Sequence, residues 1–189
     1  TNHGDIAARS IVLAVNARSA AALISSIVAP PSLGCTTWYH VADCAPKDLT
    51  NGDSIVVVDG KRHSNGRLNP SRPLVNSVVL THAAPGYASN SRVLISSTAL
   101  GVHDSAATES VVRSHLASLY AVPTSGWTHA ATYLVPDALP AMLAPHKPRT
   151  DMRLGDGLYV AGDYTDWSSI NGAFVSGRRA ATALLEDDL

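Results

Sequence analysis

The sequence predicts an α/β fold of the α+β kind, in which a mixed or antiparallel sheet covered by helices is built between two stretches of a different layer. Three observations predict it. A short apolar strand and an Ala-rich helical stretch open the chain, a strand-rich block with a single helix fills its middle, and one strand and one helix close it.

The opening strand is "RSIVLAV", Arg9 to Val15, an apolar run rich in branched side chains and bounded by polar residues, so it reads as buried. A helix follows. Ala20, Leu23, Ile24, Ile27 and Val28 recur at helical spacing, and Pro30 with Pro31 must end the element because proline lacks the N–H donor and clashes with the preceding turn.

From Thr36 to Ala84 the pattern becomes strand-like, with "TTWYHVA", "SIVVVDG" and "LVNSVVLTHAA" separated by "TNGD" and by the Gly, Asn and Pro-rich stretch from Gly60 to Pro73. An antiparallel sheet is expected. "SRVLISSTAL", Ser91 to Leu100, adds a strand after the turn residues Pro85, Gly86 and Asn90.

Asp104 or Ser105 can cap the next helix, Glu109 suits its first turn, and Val112, Leu116 and Leu119 mark the stripe that should lie against the sheet. "WTHAATYLVPDALP", Trp127 to Pro140, reads as a strand running into a proline-broken segment, with "APHKPRT" as a surface connection. On that strand His129 and Tyr133 would share one face.

Composition narrows the function. Fourteen basic and fifteen acidic residues give a net charge of -1, and the one basic cluster, around Lys61, Arg62 and Arg67, is rich in turn residues, so no nucleic-acid partner is expected. No apolar run approaches a membrane span; Ile55 to Val58 is typical of the longest. Cys35 and Cys44 form neither a disulfide framework nor a CxxC, and with His40 they fall short of a zinc set, so reduced thiols, a cytoplasmic setting and no metal are expected. His82, His103, His115 and His129 show no HExxH spacing, and no serine stands in GxSxG. Trp127, Tyr133 and Trp167 could line an apolar pocket, although aromatic residues more often pack cores.

The chemistry is concentrated in "GLYVAGDYTDWSSINGAFVSGRR", Gly157 to Arg179. A buried strand ends at Gly162, where the backbone can turn without a side chain in the way. Asp163 offers a carboxylate to sugar or polyol hydroxyls, and Asn171, Gly172 and Ala173 begin a helix whose first N–H groups and dipole favour negative charge. Gly172 and Gly177 keep that helix thin. Arg178 and Arg179 read as a solvated face.

This tail resembles the C-terminal flavin motif of the FAD-dependent amine oxidase and phytoene desaturase superfamily, especially its phytoene dehydrogenase-like oxidoreductases. The matching parts are the GLYxxGD strand and turn (Gly157 to Asp163), Ser169 with Ile170, and the polar-Gly-Ala-x-x-Ser-Gly-Arg helix start (Asn171 to Arg178). "SIVLAV" resembles the strand that precedes the family's substrate domain, with Asn16 standing where the family usually has proline.

The resemblance implies that Gly162 and Asp163 contact the FAD pyrophosphate and ribityl chain, and that Ser169, Ile170, Asn171, Gly172 and Ala173 pass beneath the flavin ring. It also implies domain boundaries: 1–16 as a strand crossing from the FAD domain, 17–150 as the substrate-binding domain, and 151–189 as the last strand and helix of an incomplete Rossmann-like FAD domain. No GxGxxG for the ADP half occurs, and the chain opens on Thr1, so an N-terminal FAD-binding half is expected upstream. The expected function is therefore the C-terminal, substrate-domain part of a flavin-dependent oxidoreductase, which in full length transfers hydride from a C–H bond of an apolar or amine substrate to FAD. By itself this chain is expected to bind FAD weakly or not at all, to be inactive, and to self-associate through the surface its other half would cover. The alternative is a binding or interaction module that kept the fold without flavin.

Overall fold

The computed structural model describes residues 4–50, 56–61, 63, 64, 67–88, 92–145 and 149–187. Strand β1 (Ile11–Leu13) leads into helix α1 (Ala17–Leu23), capped by Asn16, whose side chain accepts the Ser19 N–H at 2.8 Å. The helix ends earlier than its apolar spacing suggested. Ile24 is already extended (φ -130°), Leu23 and Val28 are exposed, and only Ala17 and Ala20 are buried. β-Branched Ile27 and Val28, with Ser25 and Ser26, are weak helix formers that no packing compensates.

Strand β2 (Ser32–Ala42) is followed by β3 (Val56–Val57), the two-residue strands β4 (His63–Ser64) and β5 (Arg67–Leu68), and β6 (Leu74–Val79). The end of the expected third strand, Leu80–Ala83, is instead a single helical turn, α2. Then come β7 (Val93–Leu100), α3 (Ala106–Tyr120), β8 (Thr128–Pro140), β9 (Arg153–Gly155), β10 (Leu158–Val160) and α4 (Ile170–Asp187). The turn expected at Asn51 to Asp53, Arg62 of the basic cluster, Asn90, and His146 to Pro148 of the late connection lie outside the described residues.

The chain divides into two compact units, Thr1–Leu33 with Asp137–Leu189, and Gly34–Pro136. Both cuts fall inside strands, β2 and β8, and α1 belongs to the first unit.

In the first unit a three-stranded sheet has the order β1-β10-β9. Strands β1 and β10 are parallel (Ile11↔Leu158, Val12↔Tyr159, Leu13↔Val160), while β9 and β10 form an antiparallel hairpin. Its two-residue turn is Asp156 and Gly157, both at positive φ (50° and 72°), the combination that favours Asp-Gly in type I′ turns. Gly157 also lets the strands approach, since a Cβ there would stand 2.6 Å from the Arg9 carbonyl oxygen. The opening strand is an edge, and Ile11 and Val12 are exposed rather than buried. Met152, Tyr159, Ala161, Ala180 and Ala183 form the core between this sheet and α4.

The second unit holds most of the five-stranded sheet, order β3-β6-β7-β2-β8, with β3/β6, β6/β7 and β7/β2 antiparallel. Alternation sends Trp38, Ala42, Val93, Ile95 and Ala99 to one face, where Val112, Leu116 and Tyr120 of α3 cover them. Ser105 caps α3 by accepting the Ala107 N–H at 3.3 Å, and Ala121 ends it in a left-handed conformation. Pro136 is accommodated because β8 is an edge strand.

One buried polar network joins the segment after β3 to α3. The Asp59 carboxylate, 4% exposed, accepts from Arg72 Nε (2.5 Å) and Nη2 (3.0 Å), from the Lys61 N–H (2.8 Å) and from His115 Nε2 (3.0 Å). His115 Nδ1 in turn accepts the Leu74 N–H at 3.3 Å. The Arg72 bonds hold the Asp59 carboxyl well below the usual carboxylate range against the desolvation that would raise it. A carboxyl whose folded value is depressed stabilises fully above its unfolded value near 4 and loses that contribution as pH falls toward the folded value. Asp59→Asn is therefore expected to cost about 2–3 kcal/mol at neutral pH and to flatten the stability loss below about pH 4. Urea unfolding across a pH series checks both, and an unchanged acid limb would assign that limb to other carboxyls.

Candidate functional site

The strand and turn at the C-terminal end of the chain are built by local hydrogen bonding. Strand β10 carries the buried Tyr159 and Val160 and is held by parallel pairing, the Ala161 N–H donating to the Leu13 carbonyl at 2.9 Å. Gly162 follows with extended backbone (φ 167°). Its N–H donates to Ser176 Oγ of α4 at 2.9 Å, and its carbonyl accepts from the Thr165 N–H (3.0 Å) and hydroxyl (2.7 Å). A Cβ at Gly162 would overlap the Tyr164 ring. The Tyr164 ring thus occupies the space that a side chain at this position would need.

Asp163 opens a short 3-10 turn, Asp163–Thr165. Its half-buried carboxyl is pushed up by desolvation, partly offset by the backbone N–H groups of Tyr164 and Asp163. Burial likewise raises the Tyr164 hydroxyl, with the Asp163 charge adding to the shift, and that hydroxyl is buried with no partner among the described residues.

Asp166, to which no sequence motif points, anchors the next loop. Its carboxylate is 2% exposed and accepts from Arg179 Nη1 (3.1 Å) and the Trp167 N–H (3.0 Å), while Arg179 Nη2 reaches the Thr150 carbonyl at 2.6 Å. Arg178 and Arg179 therefore differ: Arg178 is solvated, and Arg179 clamps the loop onto the helix. The available signal was an aspartate before the helix and an arginine on the helix's second half, with Ser176 on the same buried stripe as Gly172, Ala180 and Ala183.

Ser169 caps α4, its hydroxyl accepting the Gly172 N–H at 3.0 Å and its carbonyl the Ala173 N–H at 2.9 Å. The helix starts at Ile170, so Asn171, Gly172 and Ala173 all lie in its first turn. The N–H groups of Ile170 and Asn171 take no partner among the described residues. Gly172 is buried, and a Cβ there would overlap the Trp167 backbone; one at Gly177 would meet open space. Ile170 and Phe174 are 78% and 76% exposed and form, with Ala173 and Gly177, an apolar strip along the helix start. The seven residues singled out from sequence, Gly162, Asp163, Ser169, Ile170, Asn171, Gly172 and Ala173, thus fall on one turn, one loop and one helix start.

In the second unit, Tyr39 and Tyr133 meet edge to face, 5.7 Å apart at 89°, on the sheet face opposite α3. With Thr37, Leu94 and Val135 they line a shallow apolar concavity. His129 lies on the other face, 5.6 Å from the His40 ring, so it does not share a face with Tyr133. The alternation slips between His129 and Thr132, whose side chains are hydrogen-bonded at 2.8 Å. Trp127 packs in the core, whereas Trp167 is exposed. Both cysteines are free. Among the described residues no three His, Cys, Asp or Glu side chains converge to hold a metal, and no helix is long and apolar enough to cross a membrane.

A family model described as flavin containing amine oxidoreductase matches residues 1–185. No curated protein matches the chain significantly. Among solved structures, an oxidoreductase from Methanosarcina mazei superimposes with a TM-score of 0.62 over 95% of this chain at 13% identity, a likeness of fold. The chain spans 43% of that oxidoreductase.

The two helix glycines are expected to respond in opposite directions. Gly172→Ala should destabilise by about 1–3 kcal/mol, since the Trp167 backbone must move. Gly177→Ala should stabilise by about 0.5–1 kcal/mol, because it adds helix propensity in open space. Thermal unfolding of the two variants beside the parent chain tests the pair.

Proposed function

The chain belongs to the flavin-containing amine oxidoreductases, and from that premise we propose that it is the C-terminal, substrate-domain part of an FAD-dependent oxidoreductase. The observation that carries the reading is the family match running through the β10 turn and α4, with the Ile170 and Asn171 N–H groups open at the helix start. Bound there, FAD supplies the two-electron acceptor for a hydride leaving a substrate C–H bond.

The residues present fit such a group. Two unpartnered N–H groups and the positive end of an eighteen-residue helix favour the electron-rich pyrimidine edge of a flavin. The Asp163 carboxylate, partly exposed beside the Gly162 turn, is placed to accept from polyol hydroxyls. Gly162 serves differently from a phosphate-binding glycine, since its N–H is engaged by Ser176; its role is to shape the turn that presents Asp163. Ser169 and the Asp166–Arg179 clamp hold the helix start in place, so the donors need no rearrangement when a ligand arrives.

The substrate's apolar part is assigned to the concavity on the open sheet face, where Tyr39, Tyr133, Leu94 and Val135 offer aromatic and aliphatic contact. The N-terminal FAD-binding half completes the cofactor site and covers Trp167, Ile170 and Phe174; without it this chain self-associates through them.

The visible absorption of the protein purified with its upstream coding sequence, beside that of this chain alone, tests the reading. Flavin bands are expected in the longer form and weak or no uptake in the shorter one. A longer form that neither carries nor takes up FAD would overturn it. In the longer form Asp163→Ala should weaken flavin retention about tenfold or more, the loss of a charge-assisted hydrogen bond. Sedimentation of this chain should show association rising with concentration, and a monomer throughout would remove the covering role assigned to the missing half.

A further inference from the structure

The chain has two methionines, and both turn their sulfur toward the segment between β10 and α4. Met152, 3% exposed, places Sδ 3.9 Å from the Thr165 hydroxyl, which is already held by the Gly162 carbonyl at 2.7 Å. Met142, half-buried after β8, accepts the Ser168 N–H on its Sδ at 3.0 Å. The two sulfurs differ in what depends on them.

Around Ser168 the loop is closed on itself. The Trp167 N–H donates to the Asp166 carboxylate at 3.0 Å, and the Ser169 N–H donates to the Trp167 carbonyl at 2.7 Å. The Ser168 N–H instead donates out of the loop, with Met142 as its acceptor. Trp167 in turn lies directly against the first turn of α4, since a Cβ on Gly172 would stand 1.8 Å from the Trp167 carbonyl oxygen. A shift at Ser168 is therefore passed through Trp167 to Gly172, and with it to the open N–H groups of Ile170 and Asn171.

A thioether is a weak acceptor and a soft, polarisable nucleophile. The Ser168 N–H engages one of its two lone pairs. The other can attack the terminal oxygen of a hydroperoxide: the S–O bond forms, the O–O bond breaks, and the proton on the transferred oxygen passes to the departing oxygen, giving water or an alcohol. The sulfide is oxidised and the peroxide reduced by two electrons. The product puts a polar oxygen on a group that was apolar. At 3.0 Å the sulfur already stands where an oxygen acceptor would, so no oxygen atom fits between it and the amide. The Ser168 N–H must either retreat to bond the new oxygen or lose its acceptor.

We propose that Met142 is a modification site, converted to its sulfoxide by hydroperoxides, and that the sulfoxide displaces Ser168 and loosens the start of α4 while Met152, sealed in the core, is spared. Methionine sulfoxide reductases are the class of enzyme that reverses the change. The consequence for a bound flavin rests on the function proposed above; the modification itself does not.

The test treats the 189-residue chain with hydrogen peroxide and follows both methionines by peptide mass spectrometry and the backbone by amide hydrogen exchange. Met142 is expected to gain oxygen about tenfold or more faster than Met152. Exchange across Trp167 to Ala173 is expected to rise about tenfold in the oxidised chain and to fall back once a methionine sulfoxide reductase has removed the oxygen. Met142→Leu keeps the apolar volume without the sulfur, so it should fold and show no rise with peroxide, which separates the effect from oxidation of the free Cys35 and Cys44. Equal rates at the two methionines, a Met142 sulfoxide with unchanged exchange across Trp167 to Ala173, or the same rise in Met142→Leu would each overturn the proposal.

Discussion

The parallel pairing of Ile11–Leu13 with Leu158–Val160 is the constraint on which the first unit depends. Parallel strands cannot be joined by a hairpin. Here the connection between them contains the whole of the second unit, so the ends of the chain meet only after a long excursion. Closing such a loop rather than a ten-residue one costs about 2–3 kcal/mol by chain statistics. Burial of Tyr159 and Met152, each contributing about 1.5–3 kcal/mol, is enough to offset that cost. The pairing also fixes where β10 ends, and therefore where Gly162 and the following turn are presented.

From that fixed point the turn is organised by assigning its donors and acceptors. Gly162 gives its N–H to Ser176, Asp166 takes Arg179, and Ser169 takes the Gly172 N–H. Each bond removes a group that could otherwise have met a ligand. What remains is small and specific: the N–H groups of Ile170 and Asn171, the Asp163 carboxylate and an exposed apolar strip. A glycine in such a motif has two possible meanings, room for a ligand or room for the protein's own backbone. At Gly172 the Trp167 backbone occupies that room, so the requirement for glycine there is internal to the fold.

The sequence exposed those parts whose physics is local. Ser105 at the start of α3, the Val112 and Leu116 stripe, and the strand, Gly-Asp turn and helix in order are each set by residues within a few positions of one another. It was silent where distant residues decide. The apolar spacing past Ile24 outweighs the weak helix formers Ser25, Ser26, Ile27 and Val28 in a reading of the sequence, while the packing partner that a longer α1 would need is absent. Leu80 to Ala83 continue a strand-like composition yet form a helical turn. Asp166 and Arg179 look like ordinary surface charges until the loop brings them together. The Asp-Gly pair at 156 and 157 is a local hairpin signal, but the strand before it is only three residues long and carries no alternation to mark it.

The buried carboxylates separate structural charge from available charge. Asp59 and Asp166 are each gripped by an arginine and nearly sealed from solvent, at 4% and 2% exposure, so ionisation there serves to hold segments together. Removing either partner would leave an uncompensated charge in a poorly solvated place. Asp163 and Glu109 keep an open side. Asp163 has only backbone donors and is raised by burial, so a ligand that supplies hydrogen-bond donors would favour its ionised form. Glu109 is already ionised through one oxygen and presents the other. In a chain with nearly balanced formal charge, the useful distinction is therefore how completely each acid is satisfied.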